Sequence, residues 1–360
     1  MKRLFCEIFS RIESSHDLSY YLFDRLKNME KYRAVAPLKI GLKITNRCNF
    51  KCSYCFVKKN SSDLSLHNLK KIFKKIPQLP LEVYLTGGEP TLNPEFIAIV
   101  NYLNEMGILV RLHTTGVLLK EIGNYIENNL GVFESIQISL DSIKNYGKIR
   151  PNAIEHNCIE KIADFINCCR LKNYENISIN TVLSKLNYLE LRDIFDFAIY
   201  HKVDKVRLSP IFSKHFEIRL NDLDTLEYFH DILCDKKYAS ISILSDPFCH
   251  PWSLAKILRI NDFQAPLYCP AQKTEMEIDV NGDVYPCPFL HDPKHLMGNL
   301  LKDSFEKVWN TGVDELNKVE WSKNELCIKC QMYPFCGGGC YAQAIVEGKD
   351  FDTRCALHKS

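Results

Sequence analysis

Residues 40–56 read IGLKITNRCNFKCSYCF, a short apolar run followed at once by three closely spaced cysteines. The run Ile40–Thr45 has the length and the β-branched content of a strand. The loop after it carries Cys48, Cys52 and Cys55, spaced C-x3-C-x2-C. Three thiolates this close together can bind a cubane cluster and leave one iron without a protein ligand, which is the open position that a catalytic site needs. A zinc knuckle would need a fourth ligand and the loop has no histidine, so the stretch predicts an iron–sulfur site at the end of a strand.

The alternation of short apolar runs and amphipathic segments continues to about residue 210. Consecutive strands joined by helices form parallel sheets with right-handed crossovers, so we expect an α/β fold. The number of strands does not by itself separate an open doubly wound sheet from a partial barrel. The predicted strands are Ile40–Thr45, Glu82–Thr86, Leu109–Thr114, Ser135–Leu140, Ser178–Leu183 and Lys205–Ser209, and the predicted helices are Leu64–Ile76, Pro94–Met106, Val117–Asn128, Ala153–Lys172 and Tyr188–His201.

The composition is that of an ordinary globular protein, with 46% of the 360 residues hydrophobic and 25% charged. The 46 basic residues nearly balance the 44 acidic ones, which indicates neither a nucleic-acid partner nor an acidic polymer. No apolar run is long enough to cross a bilayer, and polar residues interrupt the apolar stretch at the start of the chain. We therefore expect no membrane partner and no signal peptide.

The chain contains 16 cysteines, more than a cytosolic enzyme of this length normally carries. A secreted disulfide protein would normally show a signal sequence, so ligation of a metal or a cluster is the interpretation that remains. Ten cysteines fall into two arrays of three and seven. We expect most of the other six to be small packed hydrophobes; they are Cys6, Cys158, Cys168, Cys169, Cys234 and Cys249.

The second array has the spacing C-x12-G-x4-C, then C-x2-C-x5-C-x3-C, then a last cysteine. Its glycine, Gly282, lies in a predicted hairpin that would bring Cys287 back toward Cys269. CxxC knuckles also bind structural zinc, so the spacing leaves a pair of zinc sites open, although seven cysteines do not complete two four-thiolate sites. The array consists of Cys269, Cys287, Cys327, Cys330, Cys336, Cys340 and Cys355.

The first array, CNFKCSYCF, resembles the signature of the radical S-adenosylmethionine (SAM) superfamily, in which an aromatic residue precedes the third cysteine; here it is Tyr54. The resemblance implies a partial (β/α)6 barrel of the TIM type, with a catalytic [4Fe-4S] cluster held by Cys48, Cys52 and Cys55. It also implies an enzyme in which SAM binds the open iron and is cleaved reductively to a 5′-deoxyadenosyl radical. That radical would abstract hydrogen from the substrate.

Other strand ends extend this resemblance. The segment TGGEP is similar to the family's GGEP motif, which implies that Gly87, Gly88 and Glu89 bind the methionine amino group of SAM. Ser139 belongs to a segment that resembles SLDG, and it would lie near the ribose or the carboxylate of SAM. Arg150 is either a partner of that carboxylate, through its planar guanidinium, or a solvated arginine at a helix start.

The second array resembles the SPASM domain, which is found in enzymes that mature peptides and proteins. The resemblance implies two auxiliary [4Fe-4S] clusters. Cys269, Cys287 and Cys340 would hold auxiliary cluster I. Auxiliary cluster II would be held by Cys327, Cys330, Cys336 and Cys355. The fourth position of cluster I is either bound by Cys249 or open, with a packed thiol as the alternative for Cys249.

We expect four parts of the chain, of which the resemblances cover the second and the fourth. They are an N-terminal helical extension (1–37), a radical SAM partial barrel (38–245), a bridge (246–268) and a SPASM domain (269–360). The predicted function is hydrogen abstraction from a ribosomally made peptide or protein, leading to a crosslink, an epimerisation or an oxidation.

Two other activities stay open: formylglycine formation of the anaerobic sulfatase-maturing type, and radical oxidation or epimerisation of a carbohydrate or another small molecule. Sulfatase-maturing enzymes place an aspartate beside an auxiliary cysteine, whereas Pro288 follows Cys287 here. A zinc-ribbon scaffold is the non-enzymatic alternative, and it leaves the GGEP-like segment unexplained.

The implied partners are a peptide or protein substrate, an electron donor such as flavodoxin or ferredoxin, and a separate leader-peptide-binding protein, because no recognition domain is evident. Low-potential clusters need a reducing environment, so we expect a cytoplasmic location. Catalytic residues other than the cysteines are not identified by the sequence; Cys249, Asp283 and Tyr285 are nearby candidates for acid–base or hydrogen-donor roles.

Overall fold

This computed structural model describes residues 34–152, 157–203, 205–211, 235–245, 270–311, 324–329 and 339–352, and the single residues Ile218, Tyr228, Asp231 and Ile232. The predicted bridge and nearly all of the predicted N-terminal extension lie outside the described residues. So do five predicted or candidate cluster ligands: Cys249, Cys269, Cys330, Cys336 and Cys355.

The strands are β1 Lys39–Thr45, β2 Glu82–Gly87, β3 Leu109–Thr114, β4 Phe133–Ser139, β5 Ile177–Leu183, β6 Lys205–Pro210, β7 Ser242–Ser245, β8 Glu275–Ile278, β9 Asp283–Tyr285 and β10 Gly298–Asn299. They form one sheet in the order β10-β9-β8-β1-β2-β3-β4-β5-β6-β7. Strands β1 to β7 run parallel, β8 pairs in parallel with the other side of β1, and β9 and β10 are antiparallel. Because β1 and β7 are not neighbours in this order, the sheet is an open partial barrel.

All six predicted strands are present, and their ends differ from the prediction by at most two residues. Strand β7 was not predicted. In its four residues, Ser-Ile-Leu-Ser, the two apolar residues are adjacent, so the segment shows no period-2 alternation. Their parallel pairing with β6 extends the barrel by one strand.

The helices are α1 Leu66–Lys75, α2 Phe96–Glu105, α3 Lys120–Asn128, α4 Tyr146–Ile149, α5 Cys158–Leu171, α6 Leu191–Tyr200, α7 Phe305–Asn310, α8 Glu325–Ile328 and α9 Tyr341–Glu347. The five predicted helices correspond to α1, α2, α3, α5 and α6, whereas the short α4 was not predicted. Ser65 caps α1, because its hydroxyl accepts a hydrogen bond from the backbone N–H of Asn68 at 3.2 Å. Within the described part of the chain, no helix combines the length and the apolar composition of a membrane span.

Alternation along the strands separates an apolar outer face from a polar inner face. In β1, Ile40, Leu42 and Ile44 are fully buried in the main hydrophobic core, together with residues of the helices. Lys39 and Lys43, on the opposite face, are partly exposed. We call this opposite face the barrel lumen; it carries Lys39, Gly41 and Lys43 of β1 and the residues in register with them on neighbouring strands.

Several charged side chains of the lumen pair with one another. Lys39 Nζ lies 3.3 Å from Glu82 and 3.6 Å from Glu275, and Arg111 Nε lies 2.6 Å from Glu82. The ring of Tyr84 stacks on that of His113, with 5.4 Å between the centroids. A lumen lined by polar and aromatic groups is suited to a polar ligand rather than to a packed core.

The C-terminal region adds the predicted hairpin to the same sheet. Strands β8 and β9 are antiparallel, and the turn between them closes with hydrogen bonds between Asp279 and Asp283 and between Gly282 and Asp279, each 2.9 Å long. Gly282 has φ +80°, where a side chain would be strained, and a Cβ there would lie 2.8 Å from Leu301. The hairpin prediction is therefore confirmed. Because β8 pairs with β1, the cysteine-rich region and the barrel share one continuous sheet.

Candidate active site

The loop that follows β1 holds the three predicted cluster ligands at the carboxyl edge of the sheet. The Cys48, Cys52 and Cys55 side chains are half-buried and form no disulfide. The start of the loop is fixed by Arg47, whose Nε donates to Asp63 at 2.8 Å and whose backbone N–H donates to the hydroxyl of Thr45 at 3.0 Å. The loop therefore presents free thiols on an anchored backbone.

The far side of the loop is attached to the segment around α4. Lys51 donates its backbone N–H to the carbonyl of Pro151 at 2.7 Å, and Ser53 donates to that of Ile149 at 3.2 Å. The backbone N–H of Cys55 turns back to the carbonyl of Cys52 at 3.2 Å. These bonds place the cysteine loop between the end of β1 and the segment that follows β4.

The three thiols of the loop are a donor set that an iron–sulfur cluster can use. Burial raises the pKa of Cys48 to about 11 and also raises that of Cys52, which the Arg150 guanidinium opposes, so a bound metal would have to displace these protons. Among the described residues, no three Cys, His, Asp or Glu side chains converge on one metal position. A zinc site brings its ligands onto one ion, whereas a cubane cluster takes its thiolates at separate irons. The donor set fits an iron–sulfur cluster with one position open.

The glycine segment after β2 packs against the cysteine loop. Gly88 donates its backbone N–H to the carbonyl of Thr45 at 2.8 Å, and Glu89 donates to that of Arg47 at 2.7 Å. A Cβ at Gly88 would lie 2.1 Å from the Arg47 carbonyl oxygen, and one at Gly87 would lie 2.3 Å from that of Thr45. These two positions require glycine because the backbone of the cysteine loop is in contact with them.

The carboxylate of Glu89 joins the ends of β2 and β3. Its Oε1 accepts hydrogen bonds from the backbone N–H and the hydroxyl of Thr91, at 3.2 and 2.6 Å, and from the hydroxyl of Thr114 at 2.8 Å. Its Oε2 accepts the backbone N–H of Thr115 at 2.7 Å. A carboxylate offers about four acceptor positions, two on each oxygen. Oε1 already accepts three hydrogen bonds and Oε2 accepts one, so the predicted contact of Glu89 with the amino group of SAM is limited to Oε2.

Arg150 is neither solvated nor free. It is 6% exposed, and its Nε donates to Oδ2 of the fully buried Asp141 at 2.5 Å. Its Nη2 donates to the hydroxyl of Tyr54 at 2.6 Å, and that hydroxyl donates in turn to Asp141. The alternative of a solvated helix-start arginine is wrong, because the guanidinium completes a buried ion pair. The contact between Arg150 and the carboxylate of SAM stays a prediction. Arg150 would make this contact while it keeps its hydrogen bonds to Asp141 and Tyr54.

Asp141 is a residue of the candidate site that the sequence did not single out. Besides Arg150 and Tyr54, it accepts the backbone N–H of Val182 at 2.8 Å, so it connects the ends of β4 and β5 to the cysteine loop. Ser139, which was singled out instead, lies half-buried at the end of β4 in register with Asn180. The available signal was an aspartate directly after a buried strand, followed at close range by an arginine.

In the second array, the structure describes Cys287, Cys327 and Cys340. Cys287 and Cys340 belong to one small apolar cluster centred on Leu290 and Ala342. The backbone N–H of Cys340 donates to Asp352 at 2.7 Å, which fixes the start of α9.

Cys327 lies in a different local structure, the short helix α8. The side-chain oxygen of Asn324 caps this helix by accepting the backbone N–H of Cys327 at 3.1 Å, and its amide donates to Asp350 at 3.2 Å. The structure thus brings together Cys287 and Cys340, which the resemblance assigns to the same auxiliary cluster, and places Cys327 outside their apolar cluster.

Two of the cysteines outside the arrays are packed as predicted. Cys158 and Cys169 are buried in the main core. Cys168 is partly exposed on the surface of α5. We assign none of these three cysteines as a cluster ligand.

Two family models match the chain. The radical SAM superfamily model matches residues 42–198, and the model of an iron–sulfur cluster-binding domain, SPASM, matches residues 269–331. The first match begins in β1 and ends in α6, so it contains the cysteine loop and the glycine segment. The second contains the β8–β9 hairpin and reaches α8.

Curated relatives match most of the chain. Mycofactocin maturase MftC of Mycobacterium tuberculosis is 25% identical over 334 residues, covering 88% of this chain and 81% of the relative. The cysteine-type anaerobic sulfatase-maturating enzyme of Clostridium novyi is 27% identical over 334 residues, covering 82% and 85%. Among solved structures, Streptococcus suis SuiB bound to the precursor peptide SuiA matches with a TM-score of 0.67 at 21% identity, covering 94% of this chain and 79% of SuiB. That structural likeness shows a shared fold.

Proposed function

Because the chain belongs to the radical SAM superfamily and carries an iron–sulfur cluster-binding SPASM domain, we propose that it is a maturase that modifies a ribosomally made peptide or protein by radical chemistry. The observation that carries the proposal is the pairing of two thiol sites on one sheet. The loop after β1 carries three cysteines that form no disulfide. Cys287 and Cys340, which share one apolar cluster, lie after the β8–β9 hairpin, and β8 is hydrogen-bonded to β1.

Cys48, Cys52 and Cys55 would hold the catalytic [4Fe-4S] cluster, with SAM at its open position. When bound, the cluster and SAM supply a 5′-deoxyadenosyl radical. The role of the chain is to hold and orient these groups. Gly87 and Gly88 let the backbone after β2 support the cysteine loop, and Oε2 of Glu89 offers an acceptor for the amino group of SAM.

The Tyr54–Asp141–Arg150 network would fix the cysteine loop relative to the SAM site. Asp141 holds the guanidinium of Arg150 by its Nε, so the orientation of the planar fork is set before SAM binds. Ser139, at the end of β4, would contact the ribose or the carboxylate of SAM. Because the side chains of such a site are already held in place, less conformational entropy is lost when the ligand binds.

Cys269, Cys287 and Cys340 would hold auxiliary cluster I, with Cys249 or an open position as its fourth site, and Cys327, Cys330, Cys336 and Cys355 would hold auxiliary cluster II. Two cysteines of the first set, Cys287 and Cys340, lie in one apolar cluster, which supports this assignment. An apolar surrounding excludes water from a cluster and tunes its reduction potential. The auxiliary clusters would accept the electron left on the substrate radical.

The proposed substrate class rests on the relatives. One is named as a mycofactocin maturase, another as a sulfatase-maturating enzyme, and SuiB has been solved with a precursor peptide. The second candidate function is formylglycine formation, which the similarity to the Clostridium novyi enzyme favours. Pro288 takes the place beside Cys287 where such enzymes have aspartate, and the half-exposed Asp283 and buried Asp279 are the carboxylates of the neighbouring hairpin.

The proposed partners follow from the chemistry. A flavodoxin or a ferredoxin would deliver the low-potential electron, and a separate leader-peptide-binding protein would recognise the substrate. A cytoplasmic location would provide the reducing conditions that the clusters need.

The test is a change in mass of a peptide. We expect the anaerobically reconstituted and reduced enzyme, with SAM, to add or remove mass on a peptide encoded beside its gene. A sulfatase-type CxPxR peptide, assayed in parallel, would lose mass if the second candidate function is the right one. The measurement is intact-peptide mass spectrometry.

The matched control is the Cys287→Ala/Cys340→Ala double variant, which keeps the catalytic loop. We expect it to form 5′-deoxyadenosine from SAM while leaving the peptide unchanged, because the auxiliary cluster that takes the substrate electron is lost. If wild-type enzyme changes the mass of no neighbouring peptide, either in H2O or in D2O, where an epimerised residue would gain a deuterium, peptide maturation is the wrong function.

A further inference from the structure

One carboxylate in the barrel lumen lacks the partner that its neighbour has. Strands β1 and β8 pair in register, so Lys39 lies opposite Glu275 and Gly41 lies opposite Glu277. The first pair forms an ion contact of 3.6 Å. The second cannot, because Gly41 has no side chain. The lumen therefore contains an acidic residue with no side chain directly across from it.

Glu277 is buried and aimed at this gap. It is 4% exposed, and its Oε1 has no hydrogen-bond partner among the described residues. A Cβ built on Gly41 would lie 1.9 Å from Oε1, so the carboxylate rests directly over the glycine. On the other side of β1, Gly41 is in register with Tyr84, whose ring stacks on that of His113. The carboxylate thus occupies the lumen between β8 and an aromatic pair.

A buried polar atom without a hydrogen-bond partner destabilises the protein, so a ligand that supplies the missing hydrogen bond gains affinity. The surroundings decide which ligand. Lys39 and Lys43 act electrostatically on Glu277 from both sides of Gly41, and a further cation would be repelled by them. An anion would have to compete for Lys39 with Glu82 and Glu275, which already pair with it. A neutral polar group meets neither obstacle.

The protonation states favour the same conclusion. Burial raises the pKa of Glu277 to about 8, an effect that Lys39 and Lys43 only partly oppose. Burial, with nearby Arg207, Lys39 and Arg111, lowers the pKa of His113 to about 3. Near neutral pH the carboxyl therefore carries a proton for most of the time and can both donate and accept, while the imidazole is uncharged. A carboxyl group in that state is complementary to a primary carboxamide, whose carbonyl oxygen and one N–H lie side by side.

We propose that Glu277, over Gly41, forms a subsite in the barrel lumen that binds a neutral side-chain carboxamide of the substrate. This inference rests on the proposed function, since a peptide is the natural source of such groups. It assigns to a residue of the SPASM segment, on β8, a contact with substrate inside the radical SAM barrel.

The test compares three probes of equal size with the reconstituted full-length protein: 3,3,3-trifluoropropanamide, 3,3,3-trifluoropropylammonium and 3,3,3-trifluoropropanoate. Equilibrium dialysis, with fluorine NMR to count the bound fraction, gives the affinity of each. We expect the amide to bind most tightly to wild type. Glu277→Leu should weaken amide binding by about tenfold, as the loss of one or two hydrogen bonds predicts. Glu277→Gln keeps a donor and an acceptor and should stay within about threefold of wild type.

The matched control is Glu275→Gln, which changes a carboxylate on the same strand and face that already has a partner, and it should leave amide binding unchanged. If Glu277→Leu does not fold, Gly41→Ala displaces the carboxylate without changing its chemistry and should also weaken amide binding.

Equal amide affinity in wild type and in the Glu277→Leu or Gly41→Ala variant overturns the subsite, as does a preference for the ammonium probe. Failure of this proposal is distinguishable from failure of the proposed function. If the amide binds but no peptide is modified, the subsite is supported and the proposed function is wrong. If a peptide is modified but the amide does not bind, the proposed function is supported and the subsite is wrong.

Discussion

Replacing Cys48, Cys52 and Cys55 together with alanine is expected to abolish the reductive cleavage of SAM. The three thiols are free, they share one anchored loop, and the glycine segment after β2 supports that loop. Since these thiols are the proposed ligands of the catalytic cluster, the variant would leave SAM without an iron to bind. The measurement is 5′-deoxyadenosine formed under dithionite, which should fall to the level found without enzyme.

The control for this variant is Cys168→Ala, which removes a partly exposed thiol of α5 that belongs to neither array. It should cleave SAM at the wild-type rate. Wild-type cleavage by the triple variant would show that the catalytic metal lies elsewhere. Loss of cleavage in both variants would show that the assay reports general damage to the protein.

The second large effect is expected from Arg150→Ala. This change leaves Asp141 buried at 0% exposure without its cationic partner, and it removes the donor to the Tyr54 hydroxyl. Breaking a buried ion pair by removing one partner costs about 3–5 kcal/mol. We therefore expect a large fall in the urea midpoint of the reconstituted protein. Because Tyr54 of the cysteine loop loses one of its two partners and keeps only Asp141, we expect a fall in SAM cleavage as well.

Arg192→Ala provides the comparison, because Arg192 pairs with Asp235 at 3.1 Å on the surface, with 41% and 34% of the two side chains exposed. Exposed pairs contribute about 0–1 kcal/mol, so this variant should barely shift the midpoint. Arg150→Lys should recover part of the lost stability, since it restores the charge without the planar fork. Equal midpoints for the two alanine variants would contradict the structural role of the Asp141–Arg150 pair.

The strands of the barrel could be predicted because each is a buried run of Ile, Val and Leu followed by a polar turn. Ile40–Thr45 is the clearest case, and the cysteines directly after it identify the loop. Strand β7 could not be predicted in this way, because its four residues carry no periodic signal. The parallel pairing of β8 with β1 was also unpredictable, since it joins segments more than two hundred residues apart in the chain.

The sequence predicted those residues of the candidate site that lie together in one short segment. It did not predict those that come together only in the fold, from several segments. The cysteine spacing and the GGEP-like segment are local, and the structure places them in contact. The Asp141 network draws Tyr54, Asp141 and Arg150 from three segments, so the sequence suggested Arg150 but neither its burial nor its partners. The unpartnered carboxylate of Glu277 depends on strand register, which no local pattern reports.

The central claim, that this chain holds one catalytic and two auxiliary clusters, is tested most directly by the metal content of the wild-type protein. The protein is purified without oxygen and reconstituted, and iron, acid-labile sulfide and zinc are counted per chain. Three cubane clusters predict about twelve iron and about twelve sulfide with no zinc. About four iron together with bound zinc would contradict the auxiliary clusters, and a folded protein without iron would contradict the assignment of radical SAM chemistry altogether.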